Sequence, residues 1–220
     1  MDDQTFEAGE ITELAVQKND RNRVSVFIDD TFAFGVHKDL VLEHQLHTGR
    51  ALSADEQRAL VEADRLVKAK QRAMNYLAHK PRTETEVRRK LQRDDLPPGV
   101  IDQVIERLYE LSYLDDQEYA YEYVRRRFAS KGYGPVRIRS ELQERGVERH
   151  LVEAALDAEL VAEDVTTAAR AVAQKRWARL DDDEDPRKRR NKLYGYLKRR
   201  GYTYDTIRTV IDDVTDESVV

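Results

Sequence analysis

Residues 135–156 read PVRIRSELQERGVERHLVEAAL. Ile138 and Leu142 stand four apart ahead of Arg145-Gly146-Val147, and Val152, Ala155 and Leu156 follow it at spacings of three and four. Residues three and four apart share one face of a helix, and glycine ends a helix by entering the left-handed region without a Cβ penalty. The stretch therefore predicts two short amphipathic helices joined by a turn. The same apolar spacing occurs 51 residues earlier, without a gap, at Val87, Leu91, Ile101, Val104 and Ile105. It occurs again 55 residues later at Leu193, Leu197, Ile207, Val210 and Ile211. Five matched apolar or small positions in three copies mark a tandem repeat.

The corresponding turns carry Pro97-Pro98-Gly99 in the first copy and Arg200-Gly201-Tyr202 in the third, with Pro98 suited to the first turn of its helix. A further helix precedes each pair, marked by Ala69, Ala73, Tyr76 and Leu77, then Ala120, Val124 and Phe128, then Ala169, Ala173, Trp177 and Leu180. Each unit is thus expected to be three helices of about three turns. Ser53 with Glu56, Thr83 with Glu86 and Asp115 with Glu118 have the spacing of N-terminal capping boxes, so helix starts agree with the periodicity.

The front of the chain has strand periodicity. Ile11, Leu14 and Val16 precede the polar turn Lys18 to Asn22, and Val24, Val26 and Ile28 then alternate with polar or outward positions. Asp29-Asp30 makes a second turn before Thr31 to Val36, a third strand, and His37 to Leu46 has helical spacing. A sheet of this size needs a helix or a neighbouring module on its apolar face, and the helical pattern from Ala54 through Leu77 is expected to join the domains by a helix and not by a flexible linker. The expected division is 1–52 for the small β-containing domain, 53–66 for a helical connector, and 67–117, 118–160 and 161–220 for the repeats. The fold class is mainly α: tandem three-helix, helix-turn-helix-like repeats in an elongated curved array behind a small N-terminal β-hairpin domain.

Composition sets limits on function. Charged residues make up 37% and hydrophobic ones 40%, a balance that suits folded helices with solvated outer faces. With no cysteine, disulfides, thiolate nucleophiles and cysteine-based metal sites are excluded. No apolar run approaches a membrane span and the acidic start does not signal export, so a cytoplasmic location is expected. Net charge of −5 conceals an uneven distribution: residues 1–66 hold 7 basic and 14 acidic side chains, whereas 119–150 hold 8 basic and 4 acidic. Such a local excess can meet phosphates or an acidic protein face.

Leu111-Ser112-Tyr113-Leu114-Asp115-Asp116-Gln117-Glu118-Tyr119-Ala120, followed by Gly134-Pro135-Val136-Arg137-Ile138-Arg139-Ser140-Glu141-Leu142-Gln143-Glu144-Arg145-Gly146-Val147, resembles the core of the RecX family. The resemblance is strong over about 67–160 and looser over the third repeat, and the N-terminal hairpin is similar to an extension of some members. It departs from the family pattern in the dense Arg125-Arg126-Arg127 and in Asp181-Asp182-Asp183-Glu184-Asp185, which lengthens the third copy. The resemblance implies a cytoplasmic modulator of the RecA recombinase that lodges in the groove of the RecA–DNA filament, restrains ATP hydrolysis and strand exchange, and contacts DNA. Its expected partners are the RecA filament and single-stranded DNA, with double-stranded DNA as a further one. A monomer without a cofactor is expected.

With Ala120, Val124 and Phe128 turned inward, Arg126 falls opposite that stripe and Arg125 and Arg127 on its flanks; with Ile138 and Leu142 inward, Arg137 and Arg139 lie to either side. Lys131, Tyr133 and Arg145 lie near the helix ends, and Lys198, Arg199 and Arg200 repeat the theme in the third copy. These eleven residues form the candidate filament and nucleic-acid contact surface, with Tyr133 able to stack. The competing reading is a solvated face interleaved with Glu122, Glu141 and Glu144. Arg187-Lys188-Arg189-Arg190, directly after five acids, reads as a loop that partly neutralises itself.

Nothing points to catalysis. Asp115 and Asp116 are neighbours that open a helix, and paired-acid chemistry needs carboxylates on opposite sides of a reacting bond. His37, His44, His47, His79 and His150 are scattered. No phosphate-binding glycine loop or nucleophile elbow occurs. Two other classes remain open from the residues alone: a helix-turn-helix DNA-binding regulator, and a structural adaptor.

Overall fold

The computed structural model describes residues 6–94, 96–180 and 185–216. The run Asp181 to Glu184, singled out above as a departure, lies outside them. The chain divides into two compact units, residues 1–80 with 89–110, and residues 81–88 with 111–220.

In the first unit, β1 (Gly9–Gln17), β2 (Asp20–Ile28), β3 (Thr31–His37) and β4 (Ala51–Leu52) form an antiparallel sheet in the order β3-β2-β1-β4. The alternation of Val24, Val26 and Ile28 sets the register: Val26 faces Leu14 on one side and Phe34 on the other, and all three valine and isoleucine side chains are buried. Asp29 and Asp30 both have positive φ, 47° and 65°, as a tight hairpin between right-twisted strands requires. The first turn is tighter than expected, because β2 already starts at Asp20. The helix after β3 is also shorter: α1 spans Lys38–Glu43, and Gln45 at φ 51° turns the chain toward β4, which the sequence did not reveal.

Ser53 and Glu56 complete their capping box, and α2 (Ala54–Leu77) runs 24 residues without a break. It brings Leu60 onto the buried face of the sheet with Ile11, Val26 and Val36. It also brings Asp64, which accepts hydrogen bonds from both outer nitrogens of Arg23 at 3.1 and 2.9 Å and from the His37 amide at 2.8 Å. Burial works against the Asp64 charge, but the bonds from Arg23 and Lys68 outweigh it and hold the carboxyl below its ordinary range. The rest of this unit is the end of α3 (Glu84–Gln92) and α4 (Pro98–Glu110), whose Ile101, Val104, Ile105 and Leu108 are buried.

The second unit holds α5 (Asp116–Lys131), α6 (Pro135–Glu144), α7 (Arg149–Glu159), α8 (Ala162–Trp177), α9 (Pro186–Arg200) and α10 (Tyr204–Asp216). The expected three-helix sets are present, although α5, α8 and α9 have 16, 16 and 15 residues and so exceed four turns. Ala120, Val124, Ile138, Leu142, Val152, Ala155 and Leu156 close one core; Ala169, Ala173, Leu193, Leu197, Ile207, Val210 and Ile211 close the next; Phe128 packs against both. Arg187 to Arg190 are not a loop. Asp185 accepts hydrogen bonds from the amides of Arg187 and Lys188 at 2.9 and 3.1 Å, and with Pro186 as the first helical residue it starts α9 at that point.

A repeated joint ties the second and third inter-helix turns to the helix start one repeat earlier. The carbonyls of Arg145 and Gly146 accept from the hydroxyls of Thr83 and Thr85, at 2.7 and 3.2 Å. At the equivalent positions one repeat on, the carbonyls of Arg200 and Gly201 accept from the amides of Gly134 and Val136, at 2.8 and 3.0 Å. The approach is close: a Cβ on Gly146 would lie 2.2 Å from Thr85 Oγ1, and one on Gly201 would lie 2.3 Å from the Arg137 nitrogen. Both glycines also have positive φ, 81° and 86°. Gly201→Ala is therefore expected to cost at least about 2 kcal/mol, the left-handed strain of about 1–2 kcal/mol plus displacement of α6. Urea unfolding followed by circular dichroism measures it, and an unchanged midpoint would show that the joint carries no stability.

Asp116 sits beside the first of these joints, 8% exposed, with its carboxylate accepting from the Glu84 amide at 2.9 Å. Burial, with the negative charges of Glu84, Asp115 and Glu148, pushes its pKa up to about 6 despite that bond. The folded state thus holds a proton that the unfolded state has already released, and stability falls as pH rises from about 4 to about 6. Asp116→Asn keeps the acceptor and removes the charge. It is expected to raise the melting temperature at pH 7.5 and to flatten this part of the profile, as thermal melts at pH 4.5 and 7.5 would record.

Candidate nucleic-acid interface

The candidate cations divide by what they touch. Arg125 donates to both oxygens of Glu159 on α7, at 2.7 and 2.9 Å, and to Glu122 at 2.7 Å. Arg139 forms a two-pronged pair with Glu153, also on α7, at 2.7 and 2.8 Å. Arg127 and Arg137 both lie 3.0 Å from Glu141, and Arg145 lies 2.8 Å from Glu86. Arg200 donates to the carbonyls of Lys131 and Gly132. By contrast, the side chains of Arg126, Lys131, Lys198 and Arg199 are exposed and have no carboxylate partner among the described residues.

Tyr133 is not an open stacking platform, since the Arg137 guanidinium lies 3.8 Å from its ring centroid and that of Arg127 5.8 Å away. Arg137 also donates to the Arg199 carbonyl at 3.2 Å, which ties α6 to the end of α9. Lys198 and Arg199 border a shallow depression with Arg137, Ser140 and Glu144.

The organising residue is Tyr123, absent from the candidates above. It is 2% exposed, donates to Glu141 at 2.7 Å, and has the guanidiniums of Arg126, Arg127 and Arg145 at 5.8, 4.9 and 5.3 Å from its ring centroid. Burial opposes the Glu141 charge, but hydrogen bonds from Tyr123 and Arg137 and the Arg127 charge hold its pKa low. A signal existed: Tyr123 stands three residues beyond Ala120 and so on the same inward face. Tyr202 plays a parallel part in the next core, its hydroxyl donating to the Gly132 carbonyl at 3.1 Å while burial pushes its pKa up to about 12.

Four family models fit the chain: the RecX N-terminal domain over 9–53, and the first, second and third RecX three-helix domains over 69–108, 115–156 and 162–211. The chain belongs to the RecX family. A Regulatory protein RecX of Clostridium botulinum (strain Eklund 17B / Type B) is 30% identical over 92% of this chain and 95% of its own length. One from Leuconostoc citreum (strain KM20) is 33% identical over 93% and 76%. A crystal structure of regulatory protein RecX aligns with TM-score 0.76 and 26% identity over 93% of this chain and 99% of that one. The crystal structure of RecX from Lactobacillus salivarius gives 0.64 and 29% over 70% and 98%. The RecX relatives are thus named as regulators, and no helix among the described residues is long and apolar enough to cross a membrane.

Arg126 and Arg139, alike by sequence position, are expected to separate on mutation. Arg126→Glu should leave the melting temperature within a degree or two, as exposed charges usually do. Arg139→Glu sets an acid against Glu153 and Asp157 and should lower stability by about 1 kcal/mol, a magnitude typical of partly exposed pairs. Equal melting temperatures for the two variants would remove the α6 to α7 pair from the account.

Proposed function

We propose that this RecX-family chain is a non-catalytic regulator that seats on the RecA filament, restrains its ATP hydrolysis and strand exchange, and contacts the filament's DNA through cations left unpaired by the fold. Family membership supports the regulatory part. The distribution of charge between helices carries the rest.

In each repeat the helix after the turn is acidic: α4 has three acids and one arginine, α7 three and one, α10 four and one. In a helix-turn-helix DNA reader that helix enters the major groove, where base-edge and phosphate contacts call for cations. These helices are unfit for it. The cations instead gather ahead of the turn, with eight and no acid on α9. Such a molecule suits contact with phosphate along one face and with protein along another, as a filament of protein on DNA presents. Occupying the groove blocks an incoming duplex, and bridging neighbouring subunits opposes the motion that accompanies hydrolysis.

The test is co-sedimentation of the purified chain with RecA filaments on single-stranded DNA, with ATP hydrolysis measured in parallel. The wild type is expected to co-sediment and slow hydrolysis. The folded variant Arg126→Glu/Lys198→Glu/Arg199→Glu should bind at least tenfold more weakly. Absence of binding by the wild type, with hydrolysis unchanged, would falsify the proposal.

A further inference from the structure

Between the end of α5, the end of α8 and α9 lies a cleft of about 490 Å³ whose charged lining consists of Lys131, Lys175, Arg176, Arg179 and Arg200. Among the described residues no carboxylate lines it. Lys175, Arg176 and Arg179 belong to none of the repeated motifs, and three separate helices are needed to bring the five cations together.

The plain explanation of basic residues here is that they complement the negative ends of helix dipoles. Each helix end carries roughly −0.5 of a charge, so three ends offset about −1.5 against five positive side chains. Among the described residues roughly 3.5 positive charges remain uncompensated in a concave site. Arg176 adds an independent sign: its Nε is buried and has no hydrogen-bond partner among the described residues. Its guanidinium stands 5.6 Å from the Tyr196 ring centroid, with that of Arg200 at 5.0 Å on the same ring, which fixes both. Lys175 and Arg179 are exposed at the mouth, with no side-chain partner among the described residues. Held cations at the back and open ones at the front are how phosphate oxygens are captured.

We infer that this cleft is a phosphate-binding site that grips the backbone of single-stranded nucleic acid. A duplex is too wide to enter a cavity of this size, whereas one or two phosphates of a single strand fit. A free nucleotide could offer the same phosphate chemistry, but the chain has no glycine-rich phosphate loop. The inference stands whether or not RecA is the partner, and it is tested without RecA.

Fluorescence anisotropy of a labelled 20-nucleotide oligo(dT) with the full chain, over a range of salt concentrations, reads the site directly. Lys175→Glu/Arg179→Glu is expected to lower affinity at least tenfold. The neutral pair Lys175→Gln/Arg179→Gln, which adds no repulsion and keeps the stems, should lower it less and reduce the salt slope by about 1.4, at about 0.7 for each lost phosphate contact on a single strand. Arg208→Glu, an exposed cation on α10, should change affinity less than twofold. An abasic deoxyribose-phosphate oligomer should displace the probe, and ATP should displace it only at far higher concentration. Equal affinity in wild type and both cleft variants would overturn the site. So would a loss in Arg208→Glu as large as that in Lys175→Glu/Arg179→Glu. Displacement by ATP but not by the abasic oligomer would overturn the nucleic-acid assignment.

Discussion

The close approach of a turn glycine to the start of an earlier helix is the constraint on which the second unit depends. Backbone carbonyls at the ends of α6 and α9 would be left without partners when buried, and the joint satisfies them from residues 83, 85, 134 and 136. Only glycine lets the chains come near enough. Once the joint is made, the arginine just before each glycine is fixed as well, with Arg145 placed against Glu86 and Arg200 against the carbonyls closing α5. Cations, tyrosines and the cleft take their positions from this geometry.

The same constraint sorts charge by purpose. Glu141, held between Arg127, Arg137 and the Tyr123 hydroxyl, fixes α5 against α6, and Glu153 and Glu159 draw Arg139 and Arg125 onto α7. These arginines knit one module together. In a chain with 37% charged residues such internal pairing orients one helix against the next, and what is left over becomes available for contact.

Local features were legible in the chain itself. Capping pairs such as Thr83 with Glu86, the stops at Gly146 and Gly201, and the inward stripes through Ile138, Leu142 and their equivalents all depend on neighbours within four residues. Features set by distant partners were not. Strand β4 is two residues long and exists because Gly9, more than forty positions away, pairs with Leu52. Arg139 looked like Arg126 because Glu153 sits on another helix, and the cleft cations come from three helices unrelated by spacing. The start of α9 was hidden for another reason: Asp185 is the last of five consecutive acids, so its order with Pro186, a helix-start signal in its own right, is masked by the run it closes.

The two joints accomplish the same closure with different donors, and this makes them unequal in inheritance. The first relies on the hydroxyls of Thr83 and Thr85, so one nucleotide change at either codon can weaken it by degrees. The second relies on main-chain amides of Gly134 and Val136, and it closes only because residue 134 has no side chain, since a Cβ there would lie 2.4 Å from the Gly201 oxygen. Change at residues 83 and 85 can therefore loosen the first junction by degrees, whereas the second is lost outright by any side chain at either of its two glycines, so the attachment of residues 81–88 is the graded joint and the pairing of the last two modules the all-or-nothing one.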